Sequence, residues 1–337
     1  MALVFTSVLL LFLAGSTTAA EKKRVIVIQT MPVPACEAHL KWFMIHFEDM
    51  GYEDGRNVEF TVIKANGDRQ IAEDGLRKEL ERGKPDAVVT IATLASQAAA
   101  QILRGTDIPV FFFQVSDPVG AGLVKELGRP TGTNITGRVF TVPRDIRLDM
   151  VSRLLGQIIK DRPIRFGFIH SSYPSAMGDL DGLKMLEQER TDIRFMPYQI
   201  EYRQVPAGLP EMLTEVETGI DSLSGQVDFW WEPQGPLGET ESYSKLLLER
   251  STIPIAMGQT MASVRMGALF FITPDLEAGG HEAAQVVDSF LKGAKPGDMP
   301  VIPPAKFEVG INLATAIKLN IVVPEDILEM AHGNTFR

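Results

Sequence analysis

The residues best placed to do chemistry are polar side chains that follow short apolar runs. Thr93 follows Val88-Val89-Thr90-Ile91-Ala92, and Ser116 with Asp117 follows Phe111-Phe112-Phe113-Gln114-Val115. In the second half Ser171, Ser172 and Tyr173 follow a run ending at Ile169. Glu232 and Gln234 follow Phe229-Trp230-Trp231, and Gln259 follows Ile255-Ala256-Met257. Hydroxyls, amides and carboxylates at such positions suit hydrogen bonding to a small molecule, because strand ends and helix starts aim backbone N–H groups into a shared crevice. Capping and turn formation select the same residue types without any ligand. Tyr173 and the tryptophan pair add a face on which a ligand can stack. Neighbours on a strand point to opposite faces, so one tryptophan is core and the other reaches the crevice. Alternation leaves open which, and Trp231 stands among the candidates.

This is chemistry of gripping, not of turnover. Neither a dinucleotide G-x-G-x-x-G after a strand nor a phosphate loop G-x-x-x-x-G-K-[ST] occurs. Val119-Gly120-Ala121-Gly122 has two glycines but follows Asp117-Pro118 and lacks the third. The five histidines form no H-E-x-x-H pair, and His39 with His46 reads as a surface pair on one helix. No G-x-S-x-G elbow is present. The single cysteine, Cys36, makes no internal disulfide and has too few partners for a metal site. No cofactor or metal is expected.

The elements that must position these residues alternate. Strands are expected at 24–29, 58–63, 87–91 and 110–114, with helices at 39–50, 69–81 and 94–103 between them, and a further extended segment at 134–138. The rhythm restarts with strands at 165–169, 194–200, 227–231, 254–257 and 268–272, and helices at 176–188, 209–223, 243–250 and 276–291. An extended stretch at 307–311 and helices at 312–318 and 325–330 complete the chain. Apolar runs alternating with helical periodicity are the mark of βαβ units. The expected fold class is α/β, with two similar doubly wound Rossmann-like lobes.

Length and composition agree. The 337 residues suit two lobes of ordinary size, with 45% hydrophobic residues to fill two cores. A net charge of −10 and no basic run longer than Lys22-Lys23-Arg24 give no footprint for nucleic acid. The apolar run 3–13 is too short to span a bilayer core of ~30 Å. Followed by small residues through Ala20 and then Glu21-Lys22-Lys23, it matches the core and cleavage region of an export signal, although no Lys or Arg follows Met1. Residues 1–20 are therefore expected to be a signal peptide cut near Ala20, leaving a periplasmic protein without membrane insertion. Leu13-Ala14-Gly15-Ser16 has the shape of a lipoprotein box with serine in place of the lipidated cysteine.

Several runs then carry a resemblance. Ile91-Ala92-Thr93 with Ala98-Ala99, the stretch from Val115 through Asp117-Pro118 to Val124, and Asn134-Ile135-Thr136-Gly137 resemble the ABC-transporter substrate-binding proteins of the tryptophan/tyrosine-binding type. Ile253-Pro254-Ile255, Arg265-Met266-Gly267-Ala268, Leu291-Lys292-Gly293 and Asn312-Leu313 agree with it. The resemblance implies a type I periplasmic binding fold with ligand in the interlobe cleft. By analogy lobe 1 takes residues 22–140 and 262–295, and lobe 2 takes 141–261 and 296–337. Thr93, Ser116 and Asp117 would line the lobe 1 side. The implied partners are a small-molecule ligand, an amino acid or a related compound, and the permease and ATPase of an importer. The protein itself is expected to be a monomer.

The second lobe departs from that pattern. His170-Ser171-Ser172 stands where a Tyr-Asn-Pro turn is usual, and Gly235-Pro236 stands where an Asp-Asn pair is usual. The missing Asp matters, because a carboxylate is the natural partner of an ammonium group. Either Glu232 substitutes or the ligand is not an α-amino acid. Two other functions stay open on sequence: a lobe pair presenting its ligand to a signalling receptor, and a doubly wound α/β enzyme with Glu232 as its cleft acid or base.

Overall fold

The computed structural model describes residues 22–337, so the expected signal peptide lies outside the described residues. The first sheet contains β1 (Lys23–Gln29), β2 (Val58–Lys64), β3 (Ala87–Ile91), β4 (Val110–Val115) and β5 (Ile135–Val139) in the order β2-β1-β3-β4-β5, all parallel. α1 (Pro34–Asp49), α2 (Arg69–Glu81) and α3 (Thr93–Leu103) connect them. Parallel strands covered by helices on both faces need apolar side chains on both, and Val25, Ile26, Val27 and Ile28 are all fully buried.

α4 (Arg144–Leu155) leads to the second sheet of β6 (Ile164–Ser171), β7 (Ile193–Ile200), β8 (Phe229–Trp231), β9 (Ile255–Met257), β10 (Phe270–Pro274), β11 (Phe307–Asn312) and β12 (Thr335–Phe336). Its helices are α5 (Pro174–Glu189), α6 (Leu209–Leu223), α7 (Glu241–Arg250), α8 (Met261–Met266), α9 (Leu276–Leu291), α10 (Leu313–Lys318) and α11 (Glu325–Ala331). The order β12-β11-β10-β9-β8-β6-β7 repeats the winding of the first sheet and then adds β11, antiparallel to β10. The two lobes are thus doubly wound in the same sense.

The chain crosses between lobes three times: after β5, after β10 and before β11. Each of the first two crossovers hands a helix to the other side. α4 follows the first sheet, yet Val151, Leu154 and Leu155 join the core of the second lobe. α9 follows the second sheet but packs on α1 of the first. Gly280 permits that approach, since a Cβ there would lie 2.4 Å from Cβ of Trp42. Residues 296–302 then run beside β5, where Thr136 Oγ1 donates to Met299 O at 3.1 Å and Val139 N to Ile302 O at 3.2 Å.

The expected division therefore needs correction at two stretches, 262–274 and 296–302. α8 and β10 belong to the second lobe, because β10 pairs with β9 at Phe270–Met257 and along its length with β11. Lobe 1 takes the chain back only from α9 to residue 302. His39 also departs from expectation. It is buried between Phe113 and Phe140, where burial pushes its pKa down to about 4.

Candidate functional site

A 2-1-3-4-5 sheet leaves a crevice between its first and third strands, where successive connections leave on opposite faces. Both lobes have that crevice, and the two face each other across one cavity of about 340 Å³. The chain after β1 brings Met31 and the start of α1 to it, and the chain after β3 brings Ala92 and Thr93. From the second lobe, Tyr173 and Ser175 follow β6 and Gln234-Gly235-Pro236 follow β8. Gln114 near the end of β4 with Ser116 just beyond it, and Gln259 with Met261 beyond β9, complete the polar and apolar lining.

Three helices begin at this cavity without a cap from their own N-cap residue, although in α3 Thr30 Oγ1 accepts from the N–H of Ala95 at 3.1 Å. The N-cap residues of α1, α3 and α5 are Val33, Ala92 and Tyr173, none of which accepts from the first turn. By contrast Asp68, Thr240, Asp275 and Asn312 cap α2, α7, α9 and α10. The unfilled N–H groups of α1 and α5, with the positive ends of all three helices, make the cavity receptive to an anionic group such as a carboxylate. Ala92 (φ 70°) and Gln114 (φ 55°) hold left-handed conformations at the strand ends. That strain sits at the site itself.

Several buried polar atoms here lack any protein partner. They are Oε1 of Gln114, Oε1 of Gln234 and the hydroxyl of Tyr173. Burial also pushes the Tyr173 hydroxyl well above its ordinary pKa, so it stays protonated and able to donate. A small molecule between the lobes would satisfy these groups. Phe140, Phe271, Ile272 and Leu276 give the cavity an apolar side.

Of the ten candidates read from sequence, Thr93, Ser116, Tyr173, Gln234 and Gln259 line this cavity. Thr93 is the first helical residue of α3, while Ala92 occupies the cap position. The other five lie elsewhere. Trp231 and Trp230 are both fully buried, because helices cover both faces of β8. Trp230 donates Nε1–H to Ser251 Oγ at 3.0 Å, and Trp231 packs edge-on to Phe166 and Phe195. Ser171 is buried at the end of β6, and Ser172 accepts from Tyr202 N at 2.9 Å.

Glu232 is fully buried behind the cavity wall. It accepts from Gln259 N at 2.8 Å and from Ser263 Oγ at 2.7 Å, which fixes Gln259 and the start of α8. Burial pushes its carboxyl up to about 7, against the hydrogen bonds from Ser244, Ser263 and Gln259. Its role is to place Gln259.

Asp117 closes the lobes instead of lining the cavity. It accepts from Gly120 N at 2.9 Å and pairs with Arg144 Nη2 of α4 at 3.3 Å. Gln204 Nε2 donates to Asp68 Oδ2 at 2.7 Å across the cleft, and Gln234 donates to Thr141 at the first crossover. The structure is therefore a closed form. Asp117→Ala is expected to weaken ligand binding by roughly three- to ten-fold, since it removes one partly exposed ion pair of the closed state. Calorimetry reads the affinity, and the alkylation rate of Cys36, buried at the seam, reads closure. A loss beyond about 100-fold would mean direct ligand contact instead.

Sequence position missed Cys36, Gln114 and Glu239. Cys36 arrives because α1 starts at Pro34, five residues before the expected start, with proline well suited to the first turn. Gln114 hid inside an apolar strand and is turned inward by its positive φ. Glu239 lies in the loop from β8 to α7, three residues past Pro236. Among the described residues no group of three or more His, Cys, Asp or Glu could hold a metal ion, and no helix is long and apolar enough to cross a membrane.

Two doubly wound lobes, three crossovers and a closed cavity at both switch points define a type I periplasmic binding fold. The chain belongs to the ABC transporter substrate binding protein family, whose model matches residues 24–157 and 214–334. It is 28% identical over 308 residues to a tyrosine-binding protein of Clostridioides difficile strain R20291, covering 90% of this chain and 83% of the relative. Among solved structures, an ABC domain from Streptococcus pneumonia in complex with L-Trp matches at TM-score 0.74 and 24% identity, over 94% of this chain and all of that one. A ligand-free, open substrate-binding protein with adhesive properties from Clostridium difficile matches at TM-score 0.61 and 26% identity, over 90% of this chain and 97% of that one. The chain is a substrate-binding protein and not an enzyme.

Proposed function

We propose that this protein captures an amino acid with an apolar side chain, aromatic ones included, outside the cytoplasm and delivers it to the permease and ATPase of an importer. The observation that carries the reading is the cavity itself. Uncapped helix starts suit a carboxylate, orphaned amide and phenol groups suit further polar atoms, and the Phe140–Phe271 side suits an apolar group. The relatives that bind tyrosine or tryptophan support the same ligand class. Closure draws contacts from both lobes, so ligand stabilises the closed state by its differential affinity. Thr93, Ser116, Tyr173, Gln234 and Gln259 are the proposed contacts.

Thermal unfolding against a panel of amino acids tests this. A true ligand at ~100 times its Kd should add ~2.7 kcal/mol to stability. No stabilisation by any member would end the reading. Residues 1–20 are proposed to direct export and to be removed, so the exported form should have a mass beginning at Glu21.

A further inference from the structure

The cavity lining contains no lysine, arginine or histidine, yet it contains two carboxylates, Glu239 and Glu308. Glu308 is exposed at the rim. Glu239 is partly buried and held in place: its Oε1 accepts from the N–H of Gly235 at 3.1 Å. Gly235 takes φ +97°, and a Cβ there would lie 2.6 Å from Ser175 Oγ, so glycine is required for this loop to present its N–H. Cys36 and Tyr173 lie close enough for Glu239 to add to the upward shift that burial imposes on each of their pKa values. Burial likewise raises the carboxyl of Glu239, because no cation of the protein stands opposite it. An acid in a lining without a base repels a bare anion and needs a positive group from outside.

We propose that Glu239 receives the ammonium group of the ligand, and that it does so from the loop after β8 where Gly235-Pro236 supply no side-chain acid. The proposal rests on the cavity being the ligand site. It makes Glu239 the specificity-determining residue, selecting compounds that bear a primary amine over the same skeleton without one. With the amine against Glu239, the carboxylate falls to the uncapped helix starts, where the buried Tyr173 hydroxyl is a donor still without a partner, while the orphaned Gln234 Oε1 can accept from the ammonium group.

Calorimetry with L-phenylalanine, L-tyrosine and L-tryptophan, with the matching arylethylamines and with the matching 3-arylpropionates separates the parts. The wild type should bind at least one of the amino acids and reject its arylpropionate. Glu239→Gln keeps the bond from Gly235 N and should bind the amino acid about 100-fold more weakly. In that variant the preference for amino acid over arylpropionate should collapse, which a merely structural role would not produce. Ligand-free thermal unfolding shows that the variant is folded. Binding of the arylpropionate by wild type as tightly as the amino acid, or an unchanged preference in Glu239→Gln, overturns the role of Glu239 while leaving the cavity as the ligand site. Binding of no member by the wild type overturns both.

Discussion

Replacing Asp179 with alanine is expected to cost about 3–5 kcal/mol of folding stability, the largest effect of any single change at the hinge. Asp179 is completely buried and lies in α5, where it accepts from Arg147 Nη1 and Nη2 and from Arg144 Nε at 3.3 Å. Arg147 is itself 1% exposed, donates Nε–H to Val142 O at 3.2 Å and lies over the Trp231 ring. Guanidinium does not lose its proton, so the variant would strand a buried charge without a counterion. Chemical denaturation should show the loss, accompanied by a fall in Tm of about 10 °C. Pairing Asp179→Leu with Arg147→Met should recover most of it, because an apolar pair does not carry the desolvation cost. A loss below about 1 kcal/mol would show that Arg147 finds other partners. Since Arg144 also pairs with Asp117 across the cleft, the variant should bind ligand more weakly as well.

Glu232→Gln is expected to stabilise the protein above neutral pH. The folded carboxyl keeps its proton up to about 7, whereas the ordinary value is 4.5. Folding therefore takes up a proton between these values, and stability falls as pH rises through that window. One pKa unit corresponds to ~1.4 kcal/mol, which sets a ceiling of about 3 kcal/mol for the loss. Glutamine can accept from Ser263 and Gln259 as the carboxylate does, and it carries no charge to bury. Unfolding curves of both proteins should nearly coincide at about pH 4 and diverge at about pH 8, with the variant the more stable. Equal curves at pH 8 would mean that Glu232 ionises in the folded state at its usual value.

The alternation of apolar runs and helical patterns was enough to foresee two doubly wound lobes, because parallel strands buried on both faces leave a continuous signature. Strand-end position alone found five lining residues, since the crevice is a property of sheet winding and not of side-chain identity. It erred where the end of a strand is still roofed by helices, as at Trp231, Glu232 and Ser171. It erred again at Asp117, whose partner Arg144 lies on a helix that hydrophobic spacing did not disclose. That helix, α4, buries a charged residue, Arg147, on its apolar face, which breaks the expected pattern. The assignment of residues 262–274 to the first lobe came from analogy with the family, and nothing local in the sequence tells whether a strand stays in its sheet or crosses. Glu239 escaped notice because a loop acid looks like any solvated carboxylate until the fold turns it inward.

The first strand begins at Lys23 in one lobe, while Phe336 closes the last strand of the other. Bending at the crossovers must therefore change the separation of the two strand ends. Fluorescent donor and acceptor proteins fused at these ends would convert occupancy into a change of energy transfer, and the molecule would serve as a genetically encoded reporter of its own solute.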